Sequence, residues 1–249
     1  MARVPAGKSK QVPSVWVRQR EQRALSREQI VSEAVRLLDA EGIDALSMRK
    51  LSASLGAGAT SLYRHVANKD ELIELVIDEV YGELDLAASQ EAAHWREDTA
   101  AFAQSLRALI LRHPWIASVL GEMGMAYLGP NMMRLTDRLL AMFERAGFPL
   151  DEADNVVGML FAYVTGTATS EAAWLTKLAR TGVSEQEQVT TLWPAAEAAA
   201  QQYPRLREGY THHKTTDPAA TRDANFTYGL ARILDGLEAR LNRLGTGSA

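Results

Sequence analysis

An all-α fold is what this chain of 249 residues predicts, and three observations carry that expectation. Helix-capping signals precede most apolar segments, apolar residues recur at three- and four-residue steps, and no alternating run of Val, Ile and Thr bounded by turns occurs. The length suits a small domain joined to a larger one. The expected divisions are a flexible basic arm over 1–24, a helix-turn-helix unit over 25–72 and a helical body over 73–249.

The arm mixes Pro, Gly, Ser and polar residues without periodicity and carries Arg3, Lys8, Lys10, Arg18, Arg20 and Arg23 against Glu21 alone. Two roles fit it equally, a groove-lying or phosphate-binding arm and a leader with no task. Order begins at the capping box Ser26-Arg27-Glu28-Gln29, followed by Ile30, Val31, Ala34, Val35, Leu37 and Leu38 at helical spacing until Gly42. A second short helix starts at Ser47 and ends at Gly56, and a third runs from about Ala59 to His65. Asn68 caps a fourth, with Leu72, Ile73, Val76, Ile77 and Val80 as its stripe.

In the body, a helix from Trp95 ends at His113-Pro114, Pro130 opens another that Gly147 and Pro149 close, and Asp151 caps a long one to about Arg180. The polar stretch 181–221, with Pro194, Pro204 and Pro218, predicts a mobile connection holding one short helix after Ser184. The last helix, roughly 222–244, places Leu230, Leu234, Leu237, Leu241 and Leu244 in a seam that wants another helix against it.

Composition narrows the function classes. The 47% hydrophobic and 23% charged residues are those of a chain that folds into a core. The absence of Cys removes disulfides, zinc-cysteine sites and thiol catalysis. No apolar run approaches the ~18 residues of a membrane span, and no signal-peptide core opens the chain, so the expectation is a cytoplasmic protein without membrane contact. The net charge of -4 is unevenly spread: residues 1–70 hold 12 Lys and Arg against 7 Asp and Glu, whereas the remainder holds 15 against 24. A basic front on an acidic body suits contact with a polyanion.

The stretch LGAGATSLYRHVANKDEL, residues 55–72, tests that suggestion. A dinucleotide-binding loop needs GxGxxG after a strand; here Ser61 replaces the third glycine and the preceding segment is helical. A helix-turn-helix explains more residues: Gly56 frees the turn to reach positive φ, and the following helix lies in the major groove. Thr60 and Ser61 can donate to phosphates or bases, and Ala59 can sit against a thymine methyl. Tyr63 and His65 can reach phosphates, and Arg64 suits guanine or phosphate. Arg49 and Lys69 flank the same surface, while Leu62 and Val66 turn to the core. Taken singly, Tyr63 and His65 also fit core positions and Arg64 a solvated cation.

QIVSEAVRLLDAEGIDALSMRKLSASLG and the ATSLYRHVANKDEL that follows closely resemble the tetracycline repressor (TetR) family of bacterial transcription regulators, over residues 26 to about 80. The rest is similar to the tetracycline-repressor C-terminal domain through His94-Trp95, AGFPLDEADNVVGMLFAYVTGTATSE and Phe226-Thr227-Tyr228-Gly229-Leu230. The resemblance implies DNA contacts by Ser47, Arg49, Ala59, Thr60, Ser61, Tyr63, Arg64, His65 and Lys69. It also implies a ligand-binding, dimerising body whose helices at 151–180 and 222–244 form a four-helix interface with a partner copy, here through Leu230, Leu234, Leu237 and Leu241.

Family members that bind magnesium-tetracycline use a metal-linked histidine in the segment corresponding to 118–123; here SVLGEM has none, so no metal site is expected. Phe102, Leu106, Ile110, Met123, Met132, Met133, Tyr163, Thr167 and Trp174 can line an apolar cavity, with Met as adaptable filler, though a Met stripe equally suits plain core. Glu171 is either an acid facing the ligand or a solvated one. His212 and His213 are adjacent loop histidines, a poor metal site.

The expected function is a homodimeric, ligand-responsive repressor of a pseudo-palindromic operator, released by a small, mainly apolar effector and using no cofactor. Two alternatives remain: a DNA-binding regulator without an effector, and an all-helical enzyme. No HExxH, P-loop or GxSxG supports the enzyme, and the histidines at 65, 94, 113, 212 and 213 lack metal-ligand spacing.

Overall fold

The computed structural model describes residues 25–86, 91–120, 129–213 and 217–246, and the regular elements among them are all helical. The basic arm and Met123 lie outside the described residues. Helix α1, Arg27–Glu41, starts where the Ser26 side chain accepts the Gln29 N–H at 3.2 Å and the Gln29 side chain accepts the Ser26 N–H at 3.1 Å. It ends at Gly42, whose φ of 80° is open to glycine at little cost. A 3-10 turn, Ile43–Ala45, leads to α2, Met48–Ser54, capped by Ser47, and α3, Ala59–Leu62. Gly56 between them has φ 61°, the left-handed turn expected of it.

Helix α4, Lys69–Tyr81, packs on α1 and, further along, on the body. Its residues Leu72, Val76, Ile77 and Val80 are fully buried and join Leu51, Leu62 and Val66 in one core. The division expected at 72/73 falls within this continuous helix.

The body comprises α5 (Trp95–Arg112), α6 (Ile116–Leu120), α7 (Pro130–Ala146), α8 (Leu150–Thr181), α9 (Glu185–Ala200), α10 (Pro204–His213) and α11 (Pro218–Thr246). Both α5 and α7 pack against the long α8. Trp95 meets Phe143 and Phe148 with ring centroids 6.4 and 6.2 Å apart, closing the end of the core where α7 turns into α8. Helix α11 approaches α8 closely because Gly229 lies beneath the Tyr163 ring, where a Cβ would collide with the phenol, and Tyr163 Oη donates to the Phe226 carbonyl at 2.7 Å. No helix among the described residues is long and apolar enough to cross a membrane.

Two expectations are corrected here. The connection 181–221 holds two helices, α9 and α10: Ser184 and Glu187 form a capping box, and the Ala-rich end of α9 has high helix propensity. The leucine seam of α11 is also not free for a partner copy. Leu230, Leu234 and Leu237 are 3%, 4% and 8% exposed within the single chain and belong to its own core, with Leu241 half-buried beside them. The periodicity announced a helix with one buried face, and that face is occupied by this chain's own α8.

Candidate nucleic-acid interface and its link to the helical body

The helix-turn-helix sorts its side chains by face. Leu62 and Val66 are buried at 0% and 1%, whereas Thr60, Arg64 and Tyr63, the last 51% exposed, face outward, with Ser61, His65 and Lys69 half-buried between. Ser47 and Arg49, at the start of α2, are exposed as well. The Ser47 hydroxyl oxygen accepts the Lys50 N–H at 3.2 Å, which fixes it at the helix start and leaves its O–H to donate outward.

Among the described residues Arg49, Arg64 and Lys69 take part in no ion pair, while Lys50 beside them is tied to Glu41. In the body, Arg96, Arg107, Arg112, Arg222 and Arg240 each face a carboxylate. Three cations such as Arg49, Arg64 and Lys69 on a helix-turn-helix suit phosphate contact.

This geometry is matched by the comparisons with known proteins. Residues 30–76 match the family described as bacterial regulatory proteins, tetR family, and residues 88–241 the tetracyclin repressor-like C-terminal domain. The chain belongs to the TetR family. A helix-turn-helix-type transcriptional regulator of Saccharopolyspora erythraea is 38% identical over 65% of this chain and 69% of its own. The transcriptional repressor DrrR1 of Streptomyces coeruleorubidus is 33% identical over 86% of this chain and 77% of its own. Among solved structures, apo ActR of Streptomyces coelicolor superposes with a TM-score of 0.74 at 30% identity, covering 89% of this chain and 99% of that one. A second ActR structure, with actinorhodin, gives 0.71 at 31% identity over 87% and 98%.

Two polar anchors, which the sequence did not reveal, join the DNA-binding unit of this TetR protein to its body. His113, 4% exposed at the end of α5, places Nδ1 2.7 Å from Asp39 Oδ1 on α1 and Nε2 3.2 Å from Glu83 Oε1 after α4. The indole N–H of Trp115 donates to the same Asp39 oxygen at 2.7 Å, and Glu83 also pairs with Arg112. The second anchor is Asp78 on α4, whose Oδ1 accepts the N–H groups of Asn131 and Met132, each at 3.0 Å, at the start of α7. A carboxylate there satisfies donors that the helix leaves unpaired and complements its dipole. Gly129 makes room for it, since a Cβ at that position would overlap the Asp78 side chain.

The residues expected to line an effector cavity fall in different surroundings, and Met123 lies outside the described residues. Phe102, Leu106 and Ile110 are buried at 2%, 0% and 1% in the core, Phe102 against Phe161 at 5.8 Å between centroids. Met132 is half-buried against the core and Met133 is 54% exposed. Tyr163 and Thr167 donate to carbonyls of α11 and α8. Trp174 lines a cavity. Helix α5, which carries Phe102, Leu106 and Ile110, packs against α8.

Glu171 is largely buried and held in ion pairs. Arg107, 7% exposed, donates to it through Nε and Nη2, both at 2.8 Å, and Arg222 donates from α11 at 3.0 Å. Arg107 also reaches Asp223 at 2.7 Å and lies 4.8 Å over the Phe226 ring. Burial opposes ionisation of Glu171, but the two guanidinium groups outweigh it and hold its carboxyl below the usual range. The chain of charges runs on from Arg222 to Glu185, which also accepts the Trp174 indole N–H at 2.6 Å. It thereby ties α5, α8, α9 and α11 together.

Proposed function

We propose that this TetR protein is a cytoplasmic homodimeric repressor, not a catalyst, whose helix-turn-helix pairs engage a pseudo-palindromic operator and release it when a small, mainly apolar effector occupies the body. The observation that carries the reading is the group of cations Arg49, Arg64 and Lys69, in no ion pair among the described residues, beside exposed Thr60 and Tyr63. DrrR1 is named a repressor, and ActR has been solved with actinorhodin and with (S)-DNPA, which supports both halves of it. The effector acts by binding one dimer conformation better than the other, and the anchors at Asp39 and Asp78 are where a shift in the body reaches α1 and α4.

Fluorescence anisotropy with DNA from upstream of the gene tests the DNA half. Lys69→Ala is expected to weaken binding about uniformly across sequences and to lower the slope of log affinity against log salt by about 1. An unchanged slope removes Lys69 from the interface.

Dimerisation falls to the outward faces of α8 and α11, since Leu160 of α8 and Leu230, Leu234 and Leu237 of α11 turn inward. Gly158, Met159, Ala162 and Gly166 are exposed on α8, and Tyr228, 64% exposed, stands on α11. Small residues there permit close approach of a second copy. Ala162→Arg is expected to give folded monomers with weakened operator binding; sedimentation showing an intact dimer moves the interface elsewhere.

A further inference from the structure

The helices α8, α9 and α11 form an open-mouthed cavity of about 560 Å³, within the range that holds small molecules. Its lining includes the two indoles Trp174 and Trp193, the rings of Pro194 and Pro218, and Val189. The charges in the wall are already matched: Glu185 is bonded to Arg222 and to the Trp174 N–H, Arg222 also to Glu171, and Glu197 is itself engaged. Trp193 is held by Tyr210 of α10 in a T-shaped contact, centroids 5.2 Å apart, so the wall is fixed from outside.

We infer that this cavity is a binding site for a neutral, flat polycyclic aromatic compound. Indole faces and proline rings favour a planar ring system. A charged ligand gains little, because Glu185 and Arg222 are already paired with each other and Glu197 is itself engaged, and its entry desolvates a charge. The assignment rests on the effector-responsive reading above for its biological use, but not for binding. Physically, the wall is the end of the ionic chain that reaches Arg107 on α5, six residues before His113 and its contact with Asp39.

The test uses three tricyclic probes of similar size, acridone (neutral), proflavine (cationic) and anthraquinone-2-sulfonate (anionic), titrated into the full-length protein without DNA. Tryptophan quenching and calorimetry read binding. Acridone is expected to bind saturably at one site per chain and at least tenfold more tightly than either charged probe. Trp174→Leu is expected to weaken acridone roughly tenfold, and Val189→Trp, which fills the cavity, to abolish its binding. Should Val189→Trp fail to fold by circular dichroism, Thr190→Trp, at an exposed position of the same lining, replaces it.

No saturable acridone binding, equal binding of all three probes, or binding indifferent to the filled cavity overturns the site. Operator release is read separately, by anisotropy. A cavity that binds acridone while the protein stays on its operator leaves the site standing and overturns the effector role.

Discussion

Leu234→Asp is expected to unfold the protomer, not to release folded monomers. Leu234 is 4% exposed inside the chain's own core, between Leu230 and Leu237 on the face of α11 that covers α8. The substitution removes about 1.5–3 kcal/mol of apolar burial. It also places a carboxylate where nothing apolar can compensate it, a cost of several kcal/mol more. The sum approaches the whole stability of an ordinary domain, about 5–15 kcal/mol. Lost helical circular dichroism or insoluble expression is the expected outcome. A soluble, fully helical monomer would place Leu234 at the dimer interface and reverse the assignment of the two faces of α11.

The second large effect is expected from Glu171→Ala. The change leaves Arg107, 7% exposed, with only the solvent-facing Asp223 and leaves Arg222 with Glu185. Removing one partner of a buried pair costs about 3 kcal/mol, which for a chain of this size lowers Tm by roughly 6–10 °C. The pH dependence separates this network from simple packing. The folded carboxyl of Glu171 is held below its ordinary value of 4.5, so its stabilising contribution is complete above that pH and is lost as pH falls further, when the folded carboxyl takes up its proton. Wild type is therefore expected to lose stability more steeply below about pH 4.5 than Glu171→Ala does. Parallel acid profiles would show that the ion pairs contribute nothing net.

What could be read from the residues alone was local. Ser26, Asn68 and Ser184 announced helix starts because a cap and its partner lie three residues apart, and all three form in the structure. The inward turn of Leu62 and Val66 followed from helical spacing within one short segment. The same spacing along α11 said that Leu230, Leu234 and Leu237 were covered but carried no information on which chain covered them. Glu171 and His113 were opaque for a different reason. Their partners lie 64 residues away for Arg107 and 74 for Asp39, and only tertiary packing decides that an Arg on α5 meets an acid on α8. Phe102, Leu106 and Ile110 show the converse limit, since a tight core and a cavity wall have one sequence pattern.

The anchors carry a consequence for domain exchange. Asp39, Asp78 and Glu83 sit on the DNA-binding side of the contacts, and His113, Trp115, Asn131 and Met132 on the other. A chimaera joined before α4 separates Asp39 from Asp78 and Glu83, whereas one joined after Glu83 carries all three carboxylates with their helices. Portability of operator specificity between repressors of this kind is then decided at the recipient, by whether it offers an imidazole, an indole and a free helix start in register with three imported acids.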